Sequence, residues 1–258
     1  MDGSTPKETI PSTFRLLILL EELSAVGVPV TPTELNKKVG LPKPTIHRLF
    51  AQLEAEGFVQ REIDGIRYSP GFRLRKMTAG VLSSLRIRTA RITILTRLAE
   101  EIGETCNISL PDRDQMIYLE RVETKWPLRI QLPIGTKVPL HCTASGKLFL
   151  ASLSERQLAS FLKTNALPAE TRNTITEPDR LKEEIAATHA NGFATDDQEF
   201  VEGMIAVGVP IMESNMRLLS TLSIHAPIQR LTLKAALVHL PLLHKAAKDL
   251  SEVALGSD

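Results

Sequence analysis

The sequence predicts an α+β protein of two domains: a small N-terminal winged helix-turn-helix domain, a linker helix, and a larger C-terminal α/β domain. Two capped helical segments lie close together over residues 31–57, and two β-type runs follow around Asp64-Gly65. After a long helix-like stretch, the rest of the chain mixes strand-like and helix-like runs, as α/β and α+β domains do. A chain of 258 residues has room for one small domain and one of about 150 residues.

The segment 42–56 predicts an amphipathic helix with two different faces. Its apolar side chains recur at i, i+3, i+4 and i+7, which places them on one buried stripe: Ile46, Leu49, Phe50 and Leu53. The opposite face carries basic, small and polar side chains, which suits a helix that lies in the major groove of DNA. Taken alone, the segment leaves an ordinary amphipathic surface helix as the alternative.

The flanking segments favour the DNA-binding interpretation. Thr31 is a good N-cap for a short helix, Glu34 completes a capping box, and Gly40 can end that helix. The two β-type runs around Asp64-Gly65 predict a hairpin with a type I′ turn. The first helix, expected over 13–24, is apolar on more than one face, so we expect it to pack on the domain core and also on a partner.

Charge is distributed unevenly along the chain. Residues 1–97 carry 15 basic and 9 acidic side chains, whereas residues 98–258 carry 16 and 21, so the net charges are +6 and −5. No acidic residue occurs from Gly65 to Ala99, while eight basic ones do. A basic N-terminal third indicates a module that binds a polyanion.

Other classes of protein are disfavoured. The sequence has no run of 18 apolar residues, which a membrane-spanning helix would need, and its N-terminus does not resemble a signal peptide. We therefore expect a cytoplasmic protein with no membrane partner.

Cys106 and Cys142 are too few for a disulfide framework. Cys142 beside His141 lacks the facing geometry of a nucleophile and its base, and the Cys and His residues lack zinc-ligand spacing. We therefore expect no catalytic residue, metal or cofactor.

Four sequence blocks resemble the IclR family of bacterial transcriptional regulators. Residues 40–49, GLPKPTIHRL, resemble its recognition-helix block, and residues 139–147, PLHCTASGK, resemble its P-L-H-x-T-A-x-G-K block. Residues 191–199, NGFATDDQE, resemble its G-(Y/F)-x-x-D-x-E-E block with Gln198 in place of the first Glu, and residues 203–210 continue it. The resemblance runs from about Pro11 to Val253. Pro44 departs from it, because the family usually has a small polar residue there.

The resemblance implies a disordered tail over 1–10, a DNA-binding domain over 11–75, a linker helix over 76–103 and a GAF-like effector-binding domain over 104–258. It implies three partners: double-stranded DNA with an inverted repeat, a small-molecule effector, and further copies of the chain in a dimer or dimer of dimers. The expected DNA contacts are Thr33, Lys43, Thr45, His47, Arg48, Gln52, Arg61 and Arg67. The effector positions that match the family are Ala144, Ser145, Asp196, Ala206, Ser223 and His225.

The residues at these effector positions favour a carboxylate. Ser223 and His225 alternate with apolar residues and so face one side of a strand, where burial without partners would cost about 1–3 kcal/mol each. The helix expected over 143–152 begins with free N–H groups that suit an anion, and Ser145 lies in its first turn. Asp196 would repel a carboxylate unless it is protonated or meets a hydroxyl, which favours a keto acid or a hydroxylated aromatic acid. The alternative is that Ser223 and His225 bond to each other or to backbone.

The C-terminal region is expected to alternate strands and helices as follows: strands over 104–111, 116–123, 127–132, 205–212 and 218–226, and helices over 143–152, 154–163, 176–192 and 232–253, the last interrupted by Pro241.

Together these observations predict a ligand-responsive, DNA-binding transcriptional regulator. A GAF-type small-molecule sensor whose helix-turn-helix binds protein is an alternative from another class. An enzyme built on the C-terminal domain is a third, but the chain offers no triad, metal or phosphate-loop signature for it.

Overall fold

A computed structural model describes residues 11, 14–82, 85–126, 132–213 and 216–255. The chain divides into two compact units between residues 84 and 85, and each has its own hydrophobic core. Within the described ranges, no helix is long and apolar enough to cross a membrane.

The first unit consists of helices α1 (Arg15–Val26), α2 (Pro32–Val39) and α3 (Lys43–Ala55), strands β1 (Val59–Arg61) and β2 (Tyr68–Pro70), and helix α4 (Phe72–Leu82). The predicted capping box of α2 is confirmed, because Thr31 Oγ1 accepts from Glu34 N at 3.2 Å and Glu34 Oε2 accepts from Thr31 N at 2.8 Å. Gly40 ends α2 in the left-handed region, with φ of 71°. These local signals set the turn that precedes α3.

The core of the first unit confirms the predicted stripe of α3. Ile46, Leu49, Phe50 and Leu53 are all buried, and they pack against Leu19 and Leu23 of α1 and Leu35 of α2. On the other side of α1, Phe14 and Leu17 are more than half exposed. Helix α1 therefore has apolar residues on two sides, as expected, and only one of these sides faces the core.

The predicted hairpin is present: strands β1 and β2 and the loop between them form the wing of this unit. The prediction of a type I′ turn in the wing was wrong. Strand pairing ends at Arg61 opposite Tyr68, so the loop spans 62–67, and among these residues only Gly65 has a positive φ, 70°. A type I′ turn needs positive φ at both central residues. Instead, the Asp64 carboxylate accepts hydrogen bonds from the backbone N–H groups of Ile66 and Arg67, at 2.9 and 3.0 Å. This Asx-type turn satisfies donors that a tight hairpin would pair across the strands.

The residues expected to form one linker helix over 76–103 fall in two helices. Helix α4 begins at Phe72, and helix α5 spans Leu85–Ile102. Residues 83 and 84, between them, lie outside the described residues. Gly103 follows α5 with φ of 78°, as expected for a glycine that ends a helix.

The second unit is built on a six-stranded antiparallel sheet in the order β5-β4-β3-β8-β7-β6. Its strands are β3 (Thr105–Asp112), β4 (Gln115–Val122), β5 (Lys137–Pro139), β6 (Ala194–Asp197), β7 (Met204–Met212) and β8 (Leu218–Pro227). The expected strands near 104–111, 116–123, 205–212 and 218–226 are thus confirmed, while most of the strand expected at 127–132 falls on residues 127–131, outside the described part. Strands β5 and β6 were not predicted, because a strand of three or four residues is too short to show the alternation of apolar and polar residues that predicts a strand.

Helices cover both faces of this sheet. Besides α5, they are α6 (Ala144–Ala151), α7 (Glu155–Thr164), α8 (Pro178–Asn191), α9 (Leu233–Ala236) and α10 (Leu240–Leu255), with a 3₁₀ turn at Leu237–His239. On one face, Val207 and Val209 of β7 and Ile224 of β8 pack against α5 and α10. On the other face, α6 contacts β6, β7 and β8, and α8 packs on α6. Double coverage explains why nearly all of β7 is buried.

The last predicted helix is divided near Pro241, as expected. Thr232 caps the short α9, and its Oγ1 accepts from Ala235 N at 3.3 Å. The 3₁₀ turn then leads into α10, where Pro241 is the second residue. Proline is tolerated in a first helical turn because its missing N–H would have no intrahelical partner there.

Candidate functional site

The exposed face of α3 carries most of the side chains predicted to contact DNA. Lys43, His47, Arg48 and Gln52 are exposed, and Thr45 is half-buried. Within the described part of the chain, the side chains of Lys43 and Arg48 form no hydrogen bond or ion pair. Thr33, in the first turn of α2, is also exposed. The helix thus presents basic and polar groups opposite its buried stripe.

Arg61 has partners inside the first unit. Its Nε and NH2 donate to the two carboxylate oxygens of Glu54 at 3.0 and 2.8 Å, and its NH1 donates to Gly65 O at 3.0 Å. The guanidinium also lies 4.8 Å from the centre of the Tyr68 ring. Arg61 therefore joins the wing to α3, a positioning role that the sequence did not reveal.

Arg67, the second basic residue of the wing, is exposed and pairs with Asp64 three residues earlier. Its backbone hydrogen bond, together with that of Ile66, is the largest reason why the pKa of Asp64 falls to about 2. The ion pair is at the surface, where the partners of an arginine exchange readily. Arg67 remains at the outside of the wing, as predicted.

In the second unit, Ser223 and His225 of β8 face one side of the sheet and form one buried cluster with a third residue, Asn107. The register pairs Ser223 with Asn107 of β3. Asn107 Nδ2 lies 3.0 Å from Ser223 Oγ and 3.3 Å from His225 Nε2, and Ser223 Oγ lies 3.3 Å from the same ring nitrogen. Mutual bonding of Ser223 and His225, the alternative left open by the sequence, therefore occurs in the structure.

Several polar atoms on this face have no partner among the described residues. They are His225 Nδ1, Ser109 Oγ and Thr221 Oγ1, and Ser109 and Thr221 are paired across β3 and β8. Leaving such a group buried and unsatisfied costs about 1–3 kcal/mol. Three of them on one sheet face are more than packing requires, and they favour a polar binding site.

Asp196 lies inside strand β6, one of the two short strands that the sequence did not predict. It pairs with Ala206 of β7, which in turn pairs with His225, so the three residues form one row across the sheet. Asp196 Oδ1 accepts from the backbone N–H groups of Glu199 at 2.7 Å and Phe200 at 3.3 Å. Burial raises the pKa of this carboxyl to about 7 despite these hydrogen bonds.

Helix α6 lies close above the strands at its first turn. Ala144 is part of a small buried apolar cluster with Ala206. A Cβ added at Gly208 would lie 3.4 Å from Ala144 Cβ and 3.1 Å from Leu148 Cδ1, so the glycine permits this close approach. Ser145 is buried, and its Oγ lies 3.4 Å from Thr143 Oγ1. The structure thus brings the predicted helix start and the predicted strand positions together.

Two residues of this region were missed by the sequence analysis, Asn107 and Arg121. Arg121 of β4 pairs with Asn107 in register, its side chain is 3% exposed, and its NH1 lies 3.4 Å from Asn107 Oδ1. Burial and the nearby Arg121 lower the pKa of His225 to about 3, so the imidazole is neutral. The one available signal was a basic side chain in the otherwise β-type run 115–122.

The neighbouring Cys142 and His141 do not form a catalytic pair. Cys142 is buried, and burial raises the pKa of its thiol far above the usual value. His141 Nε2 lies 2.9 Å from Pro168 O instead. Within the described ranges, no group of three His, Cys, Asp or Glu side chains is arranged to hold a metal ion.

Comparisons with known proteins identify relatives along the whole chain. The IclR helix-turn-helix domain matches residues 12–62, and the bacterial transcriptional regulator IclR C-terminal domain matches residues 79–252. SauR, a transcriptional regulator of Cupriavidus necator, is 38% identical over 92% of this chain and 94% of its own length. The transcriptional repressor IclR of Escherichia coli is 32% identical over 94% of this chain and 89% of its own length.

Solved structures agree with these matches. The crystal structure of the Thermotoga maritima IclR is 30% identical and has a TM-score of 0.63, over 95% of this chain and 99% of that one. An IclR homologue from Microbacterium hydrocarbonoxydans, crystallised with 4-hydroxybenzoate, is 21% identical with a TM-score of 0.61, over 95% and 99%. At that identity the second likeness concerns the fold alone.

Proposed function

Because this chain belongs to the IclR family of bacterial transcriptional regulators, we propose that it binds an inverted-repeat DNA operator and that a small carboxylate metabolite controls this binding. Residues 11–75 bind DNA, residues 76–103 link the two functions, and residues 104–258 bind the effector. The working form is a cytoplasmic dimer or dimer of dimers, since a two-fold axis matches an inverted repeat.

The exposed face of α3 supports the proposal that the chain binds DNA. Arg48 projects opposite the buried stripe, in the middle of the helix, where side chains of a recognition helix reach base edges. Lys43 lies at the start of the helix, where a cation meets the phosphate backbone. Thr33, Thr45, His47, Gln52 and Arg67 complete the contact surface, while Arg61 acts by holding the wing against α3.

The test of DNA binding begins with selection of binding sites from a random-sequence library by the purified full chain. Fluorescence anisotropy then measures affinity for the selected site at several salt concentrations. We expect affinity to fall steeply with salt, because phosphate contacts release counterions. Arg48→Ala should weaken specific binding by about 1–3 kcal/mol, whereas Arg156→Ala, an exposed arginine of α7, should not. Failure to select any site would favour the protein-binding alternative.

The buried cluster of Asn107, Ser223 and His225 supports the effector part of the proposal. It combines hydrogen-bonding groups with the close apolar contact between Ala144 and Ala206, as small-molecule sites do. A carboxylate with a hydroxyl or keto group suits these donors and acceptors. Keto acids and hydroxylated aromatic acids are therefore the favoured effectors.

A thermal-shift screen of carboxylic acids tests the effector class. It includes pyruvate as a keto acid and 4-hydroxybenzoate, which the Microbacterium homologue binds. A ligand at 100 times its Kd stabilises the folded protein by about 2.7 kcal/mol, which is readily measured. A hit must also change DNA affinity. If no acid shifts the melting temperature, the proposed effector class is wrong.

A further inference from the structure

Two buried hydroxyl groups lie side by side at one end of the polar face formed by β3 and β8. Ser109 of β3 and Thr221 of β8 are directly paired in register, and both are fully buried. Within the described part of the chain, neither Ser109 Oγ nor Thr221 Oγ1 has a hydrogen-bond partner. Because an unsatisfied buried hydroxyl costs free energy, this pair would gain from hydrogen bonds to a ligand.

An unpartnered donor lies at the other end of the same face, on His225. Arg121 NH1 lies 3.4 Å from Asn107 Oδ1, and the amide nitrogen of Asn107 then lies 3.3 Å from His225 Nε2. Since an amide nitrogen can only donate, His225 Nε2 accepts. Burial and Arg121 lower the pKa of His225 to about 3, so the neutral ring carries its one proton on Nδ1. This buried N–H has no partner among the residues that the structure describes.

Tyr118 borders the stretch between these two ends. It is buried and pairs with Ser109 in register, yet its ring centroid lies 5.9 Å from that of His225. Thr221 and His225 are separated along β8 by about 14 Å, at about 3.4 Å per residue, and Ser223 lies halfway. The ring of Tyr118 therefore leans along the sheet from the hydroxyl pair toward the imidazole, and it gives this stretch an aromatic wall.

The two ends differ in the hydrogen bonds that they can form. The Nδ1–H of His225 can only donate, so it suits an ionised carboxylate, which only accepts. The hydroxyls of Ser109 and Thr221 both donate and accept, so they suit another hydroxyl. A keto acid such as pyruvate carries its two polar groups on adjacent carbon atoms and cannot reach both ends. An acid whose hydroxyl lies on the far side of an aromatic ring can reach both.

On the basis of the function proposed above, we propose that Ser109 and Thr221 bind the hydroxyl group of a hydroxylated aromatic acid, whose carboxylate binds at Ser223 and His225. Of the two effector classes, this assignment selects the aromatic one. The hydroxyl pair then determines specificity, because a ligand without the distal hydroxyl leaves two buried polar groups unsatisfied.

Titration calorimetry on the full chain tests the hydroxyl contact. The ligands are acids of increasing length, 4-hydroxybenzoate, 4-hydroxyphenylacetate and 3-(4-hydroxyphenyl)propanoate, and each is measured beside its analogue without the hydroxyl. At least one of these acids should bind the wild type at least about tenfold more tightly than its analogue. A further comparison is 2-hydroxybenzoate, whose hydroxyl lies beside the carboxylate, and it should bind like benzoate.

Variants of the hydroxyl pair show whether this preference arises there. Thr221→Val keeps the side-chain shape and should reduce the preference, and adding Ser109→Ala should abolish it by weakening the acid and not the analogue. Ser220→Ala, on the opposite face of β8, should keep the preference. Equal affinity of every acid and its analogue for the wild type would overturn the assignment, and so would an unchanged preference in the double variant.

Unfolding of the ligand-free protein separates a binding role from a structural one. Thr221→Val removes a buried hydroxyl without a partner, so it should leave the melting temperature unchanged or raise it. Thr124→Val is the matched control and should lower the melting temperature, because Thr124 Oγ1 donates to Gly103 O at 2.9 Å. A fall as large as that of Thr124→Val would show that the Thr221 hydroxyl is satisfied in the free protein, and the proposal would be refuted.

The two proposals fail in different ways. If pyruvate stabilises the wild type in the screen and no hydroxylated aromatic acid does, the carboxylate effector stands and the role of Ser109 and Thr221 is refuted. If no acid stabilises the wild type, the effector class is refuted, and the role of the hydroxyl pair falls with it.

Discussion

Lys147 and Glu199 form a buried ion pair, with 2.6 Å between Nζ and Oε1. The lysine side chain is 1% exposed and also donates to Glu184 of α8 at 3.0 Å. One cation thus joins α6, which lies over the candidate effector site, to α8 and to the segment after β6. Because Asp196 accepts from the backbone of Glu199, the pair adjoins the row of residues that crosses the sheet.

Replacing Lys147 by methionine should destabilise the second unit strongly. It leaves Glu199 and Glu184 without their shared cation, and breaking a buried pair in this way costs about 3–5 kcal/mol. Urea unfolding followed by circular dichroism measures the loss. Lys182→Met, at an exposed position of α8, is the matched control. A loss below about 1 kcal/mol would show that the pair contributes little to stability.

The pH dependence of stability should change when Asp196 becomes asparagine. Burial raises the pKa of Asp196 from 3.8 to about 7 in the folded state, so the folded protein binds the extra proton and stability falls as pH rises between these values. Burial lowers the pKa of His225 from 6.5 to about 3, so its contribution rises with pH over nearly the same window. The two slopes oppose each other in the wild type.

Asp196→Asn removes the falling slope and keeps an acceptor for the N–H groups of Glu199 and Phe200. We therefore expect the stability of this variant, relative to the wild type, to increase between pH 4 and pH 6.5, by up to about 1.4 kcal/mol per pH unit. Urea titrations at a series of pH values measure this difference. Identical pH profiles for variant and wild type would mean that Asp196 is ionised in the folded protein throughout this range.

Gly65→Val should weaken DNA binding and leave effector binding unchanged. Gly65 has a φ of 70°, and no atom lies within 4 Å of an added Cβ, so the substitution acts through backbone strain and not through a clash. Asparagine tolerates the left-handed region, so Gly65→Asn should retain most of the affinity. Anisotropy on the selected operator and calorimetry with the acid give the two readouts. Parallel loss of both activities in Gly65→Val would contradict separate functions for the two units.

Lys43→Ala should lower DNA affinity to a similar degree for the operator and for unrelated DNA. A cation at the start of α3 that meets phosphate contributes affinity without sequence preference, and its loss flattens the slope of log affinity against log salt by about one unit. Lys182→Ala serves as the control. A loss confined to the operator would instead make Lys43 a base-reading residue.

Ser223→Ala and His225→Ala should each reduce effector affinity at least about tenfold, equivalent to about 1.4 kcal/mol. Ser220→Ala is the matched control, because Ser220 lies on the same strand and is displaced by an odd number of residues from Ser223. DNA affinity without effector should survive in all three variants. Wild-type effector affinity in Ser223→Ala and His225→Ala would show that the cluster they form with Asn107 serves the fold.

Sequence patterns over short stretches of the chain were enough to predict the winged helix-turn-helix. The capping box of Thr31 and Glu34, and the stripe of α3, depend on residues three to seven positions apart, which helical geometry brings together without help from the rest of the chain. The strands β7 and β8 were predicted for a similar reason, because β7 is a long apolar run and apolar residues alternate with polar ones along part of β8. The resemblance to the family proposed six effector positions, of which Ala206 and His225 are direct neighbours across β7 and β8.

Only the tertiary structure decided which side chains meet in the candidate effector site. Asn107 and Ser223 are 116 residues apart in the chain and 3.0 Å apart in space, because β3 pairs with β8 across the middle of the sheet. Strand order determines such pairs, and no local periodicity encodes it. The charge states of His225 and Asp196, and the burial of Arg121 and Lys147, follow from the same packing, since a pKa depends on solvent and neighbours that the linear sequence does not reveal.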